Sequence, residues 1–162
     1  MVNLWLTSDS HFSHDAIIGY AKRPFTSAAE MDEALVENWN RVVKPSDHVY
    51  HLGDVVMKRS ALAVVKRLNG HLRLVRGNHD IFRTKEYLAV GFEEIYGCRV
   101  IDGFLMTHIP VHEQSLGRFK ANLHGHTHEQ FVCGSRYINL CVEQTAYTPV
   151  HFEDVKKLLT TH

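Results

Sequence analysis

Apolar positions fall into two kinds of run along this chain. Residues 2–7, 48–52 and 72–76 are short and mostly apolar, and they read as buried strands. Between them the apolar residues spread to helical spacing. Ser27, with Glu30 three residues on, is a capping-box pair, and it opens a helix marked by Met31, Leu35, Trp39, Val42 and Val43. Pro45-Ser46-Asp47 closes that helix. A shorter helical turn carries Ala16, Ile17 and Tyr20, and another helix spans 60–68 before Asn69-Gly70. Strand, helix, strand, helix in that order predicts an α/β fold, with ligands bound beyond the carboxyl ends of the strands.

The pattern changes after a short helix at 85–90. Residues 93–101 and 104–108 read as two strands joined through Asp102-Gly103, a hairpin dipeptide. A polar, mobile loop is expected at 113–120, a strand at 136–142 and a closing helix at 151–160. There is no internal repeat, low-complexity segment or linker, so residues 1–162 are expected to form one domain.

Composition narrows the function by exclusion. The 18 basic and 18 acidic side chains cancel, so there is no electrostatic footprint for duplex nucleic acid or a membrane surface. No apolar run is long enough to span a bilayer, and the chain leads directly into a strand, so no secretory leader is expected. Cys98, Cys133 and Cys141 lack metal-ligand spacing and are odd in number, which suits reduced, mostly packing thiols in a cytoplasmic protein. The outlier is histidine, with 13 in 162 residues, most of them where strands end.

Those strand ends carry the candidate chemistry. Asp9 and His11, at i and i+2 on an extended segment, can turn to one point. Asp54 follows a glycine just past the second strand, Asn78 and His79 follow the third, and His108 ends another. His126 and His128 repeat the i, i+2 geometry. Seven oxygen and imidazole donors are too many for one tetrahedral ion and suit two ions sharing a carboxylate. Two divalent cations bring four positive charges and Asp9 and Asp54 return two. The balance favours an anionic phosphoester and acidifies bound water. His79 can move a proton near neutral pH, and Asp80 can hold it in one tautomer.

The ordered blocks Asp9-Ser10-His11, Gly53-Asp54, Gly77-Asn78-His79-Asp80, Thr107-His108 and Gly125-His126-Thr127-His128 resemble the five-block signature of the calcineurin-like metallophosphoesterases. The run from Asp9 to His14, with Arg23-Pro24-Phe25 and Tyr50-His51-Leu52-Gly53-Asp54, is similar to the small single-domain members of bacteria and their phages. The resemblance implies a four-layer α-β-β-α sandwich of two mixed sheets flanked by helices. It implies two divalent ions, Mn²⁺ first, with Fe, Ni, Co and Zn as alternatives. One ion would lie on Asp9, His11, Asp54 and His128, the other on Asp54, Asn78, His108 and His126. Metal-bound hydroxide would attack phosphorus while His79, helped by Asp80, protonates the leaving oxygen. The substrate would be a phosphodiester, nucleotide or nucleic-acid-derived. The alternatives are a phosphomonoester, a non-catalytic scaffold on the same fold, and a hydrolase with one zinc.

Residues outside the blocks divide between function and packing. His14 and Arg23 are candidate substrate contacts, against a backbone-bonded loop histidine and a solvated arginine. His51 reads as a satisfied core histidine, His124 as a support for His126, and Asn139 as an organiser of the loop beneath the site.

Overall fold

The crossovers in the first half of the chain are long enough to return it to the same end of a sheet, so successive strands pair in parallel. The computed structural model describes residues 2–159. β1 (Leu4–Thr7), β2 (His48–His51), β3 (His71–Val75) and β4 (Phe92–Tyr96) lie side by side, all parallel. α1 (Asp15–Tyr20) and α2 (Ala28–Val42) connect β1 to β2. The Ser27 side chain caps α2 by accepting from the Glu30 amide. The segment expected as a helix at 60–68 is a 3₁₀ helix, Arg59–Arg67. Three residues per turn put Leu62, Val65 and Leu68 in one line, and all three are buried. α3 (Thr84–Ala89) follows β3.

The expected strand at 93–101 is two strands in different sheets. β4 ends the first sheet, the chain breaks at Gly97-Cys98, and β5 (Arg99–Ile101) opens the second. β5 and β6 (Phe104–Met106) form the expected hairpin. Asp102 and Gly103 both take positive φ, 51° and 83°, as a tight hairpin turn requires. β7 (Ala121–His124) and β8 (Tyr137–Asn139) add in parallel to β6. β9 (Val150–His151) then runs antiparallel to β1 in the first sheet and leads into α4 (Phe152–Lys157). Thr160, the expected end of that helix, lies outside the described residues.

Both sheets are therefore mixed, and helices flank them, giving the α/β sandwich expected from the sequence. Alternation along the strands sorts the core into two layers. Val49, Leu72 and Leu74 face Met31, Leu35, Trp39 and Leu62. Leu6, Tyr50, Leu52 and Val75 turn the other way, onto Phe104, Met106, Leu123 and Ile138 of the second sheet. The polar segment at 113–120 is not a loose loop. Leu116 is fully buried, and the segment holds a 3₁₀ turn, Glu113–Ser115. Asn122 Oδ1 accepts from the Val111 amide, and the Tyr137 hydroxyl donates to the Val111 carbonyl, so the adjoining chain is tied to β7 and β8. Among the described residues, no helix is long and apolar enough to cross a membrane.

The layer between the sheets predicts a contrast in stability. Leu123→Ala, at a fully buried position, should cost about 2–5 kcal/mol in urea unfolding. Val100→Ala, at a 43% exposed position on β5, should change stability by about 0.5 kcal/mol or less.

Candidate metal centre

The loops after β1, β2, β3, β6 and β7 converge at the carboxyl ends of the two sheets. Backbone hydrogen bonds lace them together: Asp9 N–H to Gly53 O (2.9 Å), His11 N–H to Asp54 O (3.0 Å) and Gly125 N–H to His108 O (2.9 Å). The loops approach so closely that side chains are excluded at Gly53, Gly77 and Gly125. A Cβ on Gly53 would lie 2.6 Å from the Gly77 nitrogen and 2.7 Å from His108 Nδ1. A Cβ on Gly125 would collide with Ser8 Oγ and Asp9 Oδ2. Five of the candidate ligands hold left-handed backbone: Asp9 (φ 58°), His11 (50°), Asp54 (57°), His126 (69°) and His128 (49°). That conformation costs a residue other than glycine roughly 1–2 kcal/mol, and such strain gathers at functional sites.

Each buried carboxylate has one oxygen occupied and one turned inward. Asp9 Oδ2 accepts from the Ser8 hydroxyl, from the His126 amide (2.9 Å) and from Cys141 Sγ (3.3 Å). Asp9 Oδ1 is buried without a hydrogen-bond partner, 3.6 Å from His11 Nε2 and 3.9 Å from His128 Nε2. Asp54 Oδ1 accepts from the His79 amide (2.8 Å), and its Oδ2 lies 3.6 Å from His11 Nε2 and 3.2 Å from His108 Nε2. Asn78 Oδ1 lies 2.8 Å from His108 Nε2, and His126 completes a cluster with Asp54 and His108.

These spacings test the fit of metal ions. Donors about 2.0–2.2 Å from one cation sit roughly 3.0–3.5 Å from each other. The observed separations, mostly 3.2–3.9 Å, are near that range. His11 Nε2, like Asp9 Oδ1, is buried with no hydrogen-bond partner. Oxygen and imidazole donors of this mix suit first-row divalent ions. Among the described residues three groups of possible ligands result, Asp9–His11–His128, Asp54–His108–His126 and His128–Cys141–Glu143, the last sharing His128 with the first. Asp54 Oδ2 faces both His11 of the first group and His108 of the second.

Charge is concentrated here in the metal-free protein. Burial opposes ionisation of Asp9, but the His11 side chain and the nearby His108 outweigh it and hold the carboxyl far below its usual range. Burial also opposes a charged His108, yet Asp54 and Asp9 lift its pKa to about 9. Burial and the neighbouring His108 keep His126 below its ordinary value.

Beneath the ligands lies a set of residues for which the sequence offered little signal. Glu143 Oε1 lies 3.1 Å from His128 Nδ1, on the far side of the ring from the cluster. Burial lowers the His128 pKa, but this hydrogen bond and nearby Asp9 raise it further. Glu143 pairs in turn with Arg23, whose Nε and Nη2 lie 2.8 and 2.7 Å from Oε1. Arg23 also donates to the Ser10 carbonyl (2.8 Å) and the Asp9 carbonyl (2.7 Å). Its side chain is fully buried, so the expected contact with substrate is replaced by a clamp beneath the Asp9–His11 loop. Glu143 was missed because no spacing links it to the blocks.

The remaining expectations divide. Asp80 does not bond the His79 ring. Its Oδ2 accepts from the Asp54 amide (2.7 Å) and the Gly77 amide (2.8 Å), and its Oδ1 from the Val55 amide (3.0 Å). That carboxylate therefore pins two loops together, a better use of a buried acceptor than one exposed imidazole. His79 is exposed at the site, its ring 5.6 Å from that of His11. The His14 ring lies 5.5 Å from His11, with Nδ1 buried and unpartnered. His51 is buried against Ser10 Oγ (2.6 Å), and burial pulls its pKa down to about 4. His124 is buried with Nδ1 2.9 Å from the Gly125 carbonyl. Asn139 donates to Thr127 Oγ1 (2.9 Å) and the His128 carbonyl (2.8 Å), ordering the loop as expected. Cys98 and Cys133 are exposed rather than packed, and Cys141 is buried beside Asp9.

This fold, with its converging carboxylates, amide and imidazoles, defines a metal-dependent phosphoester hydrolase. Residues 2–142 match the family model for the calcineurin-like phosphoesterase superfamily domain, and the chain belongs to that superfamily. An uncharacterised protein of Methanocaldococcus jannaschii is 35% identical over 170 residues, covering 98% of this chain and 92% of its own. A protein of unknown function from Aquifex aeolicus superposes with a TM-score of 0.75 at 28% identity, over 98% of this chain and all of its own. A nuclease of Pseudomonas putida shares the fold, with a TM-score of 0.56 at 23% identity over 82% of this chain and 65% of its own.

Two predictions follow from the charges. Glu143→Gln removes the anion that holds His128 and should weaken metal binding about ten- to a hundredfold, read by chelator competition. In the metal-free protein, the raised pKa of His108 means its pairing with Asp54 stabilises fully below pH 6.5 and is lost as pH rises through about 9. Metal loading near pH 7.5 should therefore release a proton from His108, seen by calorimetry in buffers of different ionisation enthalpy.

Proposed function

We propose that the chain is a phosphodiesterase acting on nucleotide or nucleic-acid-derived phosphoesters. The observation that carries this reading is the pair of inward carboxylate oxygens, Asp9 Oδ1 and Asp54 Oδ2, facing imidazole nitrogens beside the exposed His79. Asp9, His11, Asp54 and His128 would hold one divalent cation, and Asp54, Asn78, His108 and His126 the other. Such ions, Mn²⁺ first among them, supply Lewis-acid stabilisation of the phosphoryl oxygens and acidify water for attack.

The protein's own residues do the rest. Two carboxylates leave the loaded site cationic, and so ready for an anionic ester. His79 donates the proton that the departing oxygen needs. Its amide is held by Asp54 Oδ1, so the acid and the shared ligand move as one turn. Arg23 is buried on Glu143 and two carbonyls and is not available for a second phosphate charge. That supports a singly charged diester over a doubly charged monoester. The nuclease that shares the fold puts nucleic-acid ends among the substrates to try. The free cysteines support a reducing, cytoplasmic setting, with residues 1–162 working as one domain.

A screen of phosphomonoesters, linear diesters and cyclic nucleotides with Mn²⁺, Co²⁺, Ni²⁺, Fe²⁺ or Zn²⁺ tests this. Turnover should be metal-dependent and fastest on a diester; no turnover with any ion would point to a scaffold. His79→Ala should lower kcat about 10²–10⁴-fold while elemental analysis still finds both metals. Unchanged turnover would remove His79 from the acid role.

A further inference from the structure

We infer that the cleft between α1 and the loop after β7 seats a nucleobase carried by the phosphoester, with Tyr20 as its stacking platform. This rests on the phosphodiesterase reading and names the group its substrate bears. The cleft has a volume of about 240 Å³, below the roughly 300–1,000 Å³ of sites for drug-sized molecules, so it fits one ring system. Ile17 and Tyr20 line one side, and His126, His128, Glu129 and Gln130 the other. Two of these are the candidate metal ligands themselves. The cleft thus adjoins the candidate metal site, and the base of a nucleoside whose sugar is esterified to a phosphate there is carried toward it by that sugar.

Tyr20 is 76% exposed, while Ile17, one turn earlier, is 5% exposed. Among the described residues, the Tyr20 ring has no aromatic neighbour and its hydroxyl no hydrogen-bond partner. Single exposed apolar residues are ordinary on protein surfaces, and Ile81 and Phe131 are as exposed as Tyr20. Neither of those lines this cleft; Tyr20 does.

Charge selects the occupant. Among the described residues, the lining holds no lysine or arginine, and it holds the Glu129 carboxylate. A second phosphate would be repelled there. A planar, uncharged ring is accepted by the tyrosine face, and its amino or carbonyl edge can pair with Glu129 or Gln130. Stacking of this kind tolerates different bases, because every base offers a π-face.

The test measures binding to the metal-loaded protein by calorimetry, with adenosine 5′-monophosphate, phenyl phosphate and methyl phosphate as probes. The nucleotide should bind roughly tenfold or more tighter than methyl phosphate. Tyr20→Ala should erase most of that preference while leaving methyl phosphate binding as it was, and Tyr20→Phe should keep the preference. An unchanged preference in Tyr20→Ala, or equal binding of nucleotide and methyl phosphate by the unaltered protein, overturns the proposal. Phenyl phosphate binding as tightly as the nucleotide overturns the base assignment. Failure of the phosphodiesterase reading shows separately, as absent diester turnover in a protein whose nucleotide preference is intact.

Discussion

Two carboxylates are buried side by side at one site: Asp9 Oδ1 has no hydrogen-bond partner, and Asp54 Oδ2 faces His11 and His108. Asp9 spends Oδ2 on a hydroxyl, an amide and a thiol, and Asp54 spends Oδ1 on the His79 amide. The remaining oxygens face imidazole nitrogens. Burying charge this way is costly unless something positive completes the site. Against burial, Asp54 and Asp9 raise the pKa of His108 and so favour a proton there. The donor chemistry and spacing suit divalent cations in that role. Most other features near the site serve this arrangement.

The backbone carries part of the cost. Five residues of the candidate ligand set hold left-handed conformations, where a glycine would be more comfortable but would supply no donor atom. True glycines appear instead where loops must nearly touch, at Gly53, Gly77 and Gly125. Asp80 then spans two of the loops through three amides. Underneath, Arg23 ties the Asp9–His11 loop to Glu143, and Glu143 reaches His128 in the loop after β7 of the second sheet. Side chains outside the candidate ligand set thus hold its members in register across both sheets, as a metal site would require.

Much of this was legible in order along the chain. Strand runs followed by Asp, His or Asn, with glycines at the tightest turns, located the loops that meet. Asn139 was readable as a loop organiser, His51 as a satisfied core residue and the Asp102-Gly103 turn as a hairpin. Other features were not. A polar sequence at 113–120 hid a turn with a fully buried Leu116, because one apolar residue carries no period. The strand expected through 93–101 gave no sign that the chain changes sheets at Gly97-Cys98, since both halves share the same β character. Arg23 looked like a phosphate contact because a loop cation beside histidines is read by its charge, while its burial is a property of the fold.

The sequence alone determined the donor inventory, the order of the loops and the membership of an α/β fold, because residue type and local period are properties of the chain itself. Tertiary structure decided which oxygen of each carboxylate faces the imidazoles, that Asp80 serves amides rather than His79, and that Glu143 stands behind His128. Those are questions of direction and distance between segments as much as 134 residues apart, as Asp9 and Glu143 are. No local pattern encodes them; they exist only once two sheets close on one another and each buried polar atom must find its partner.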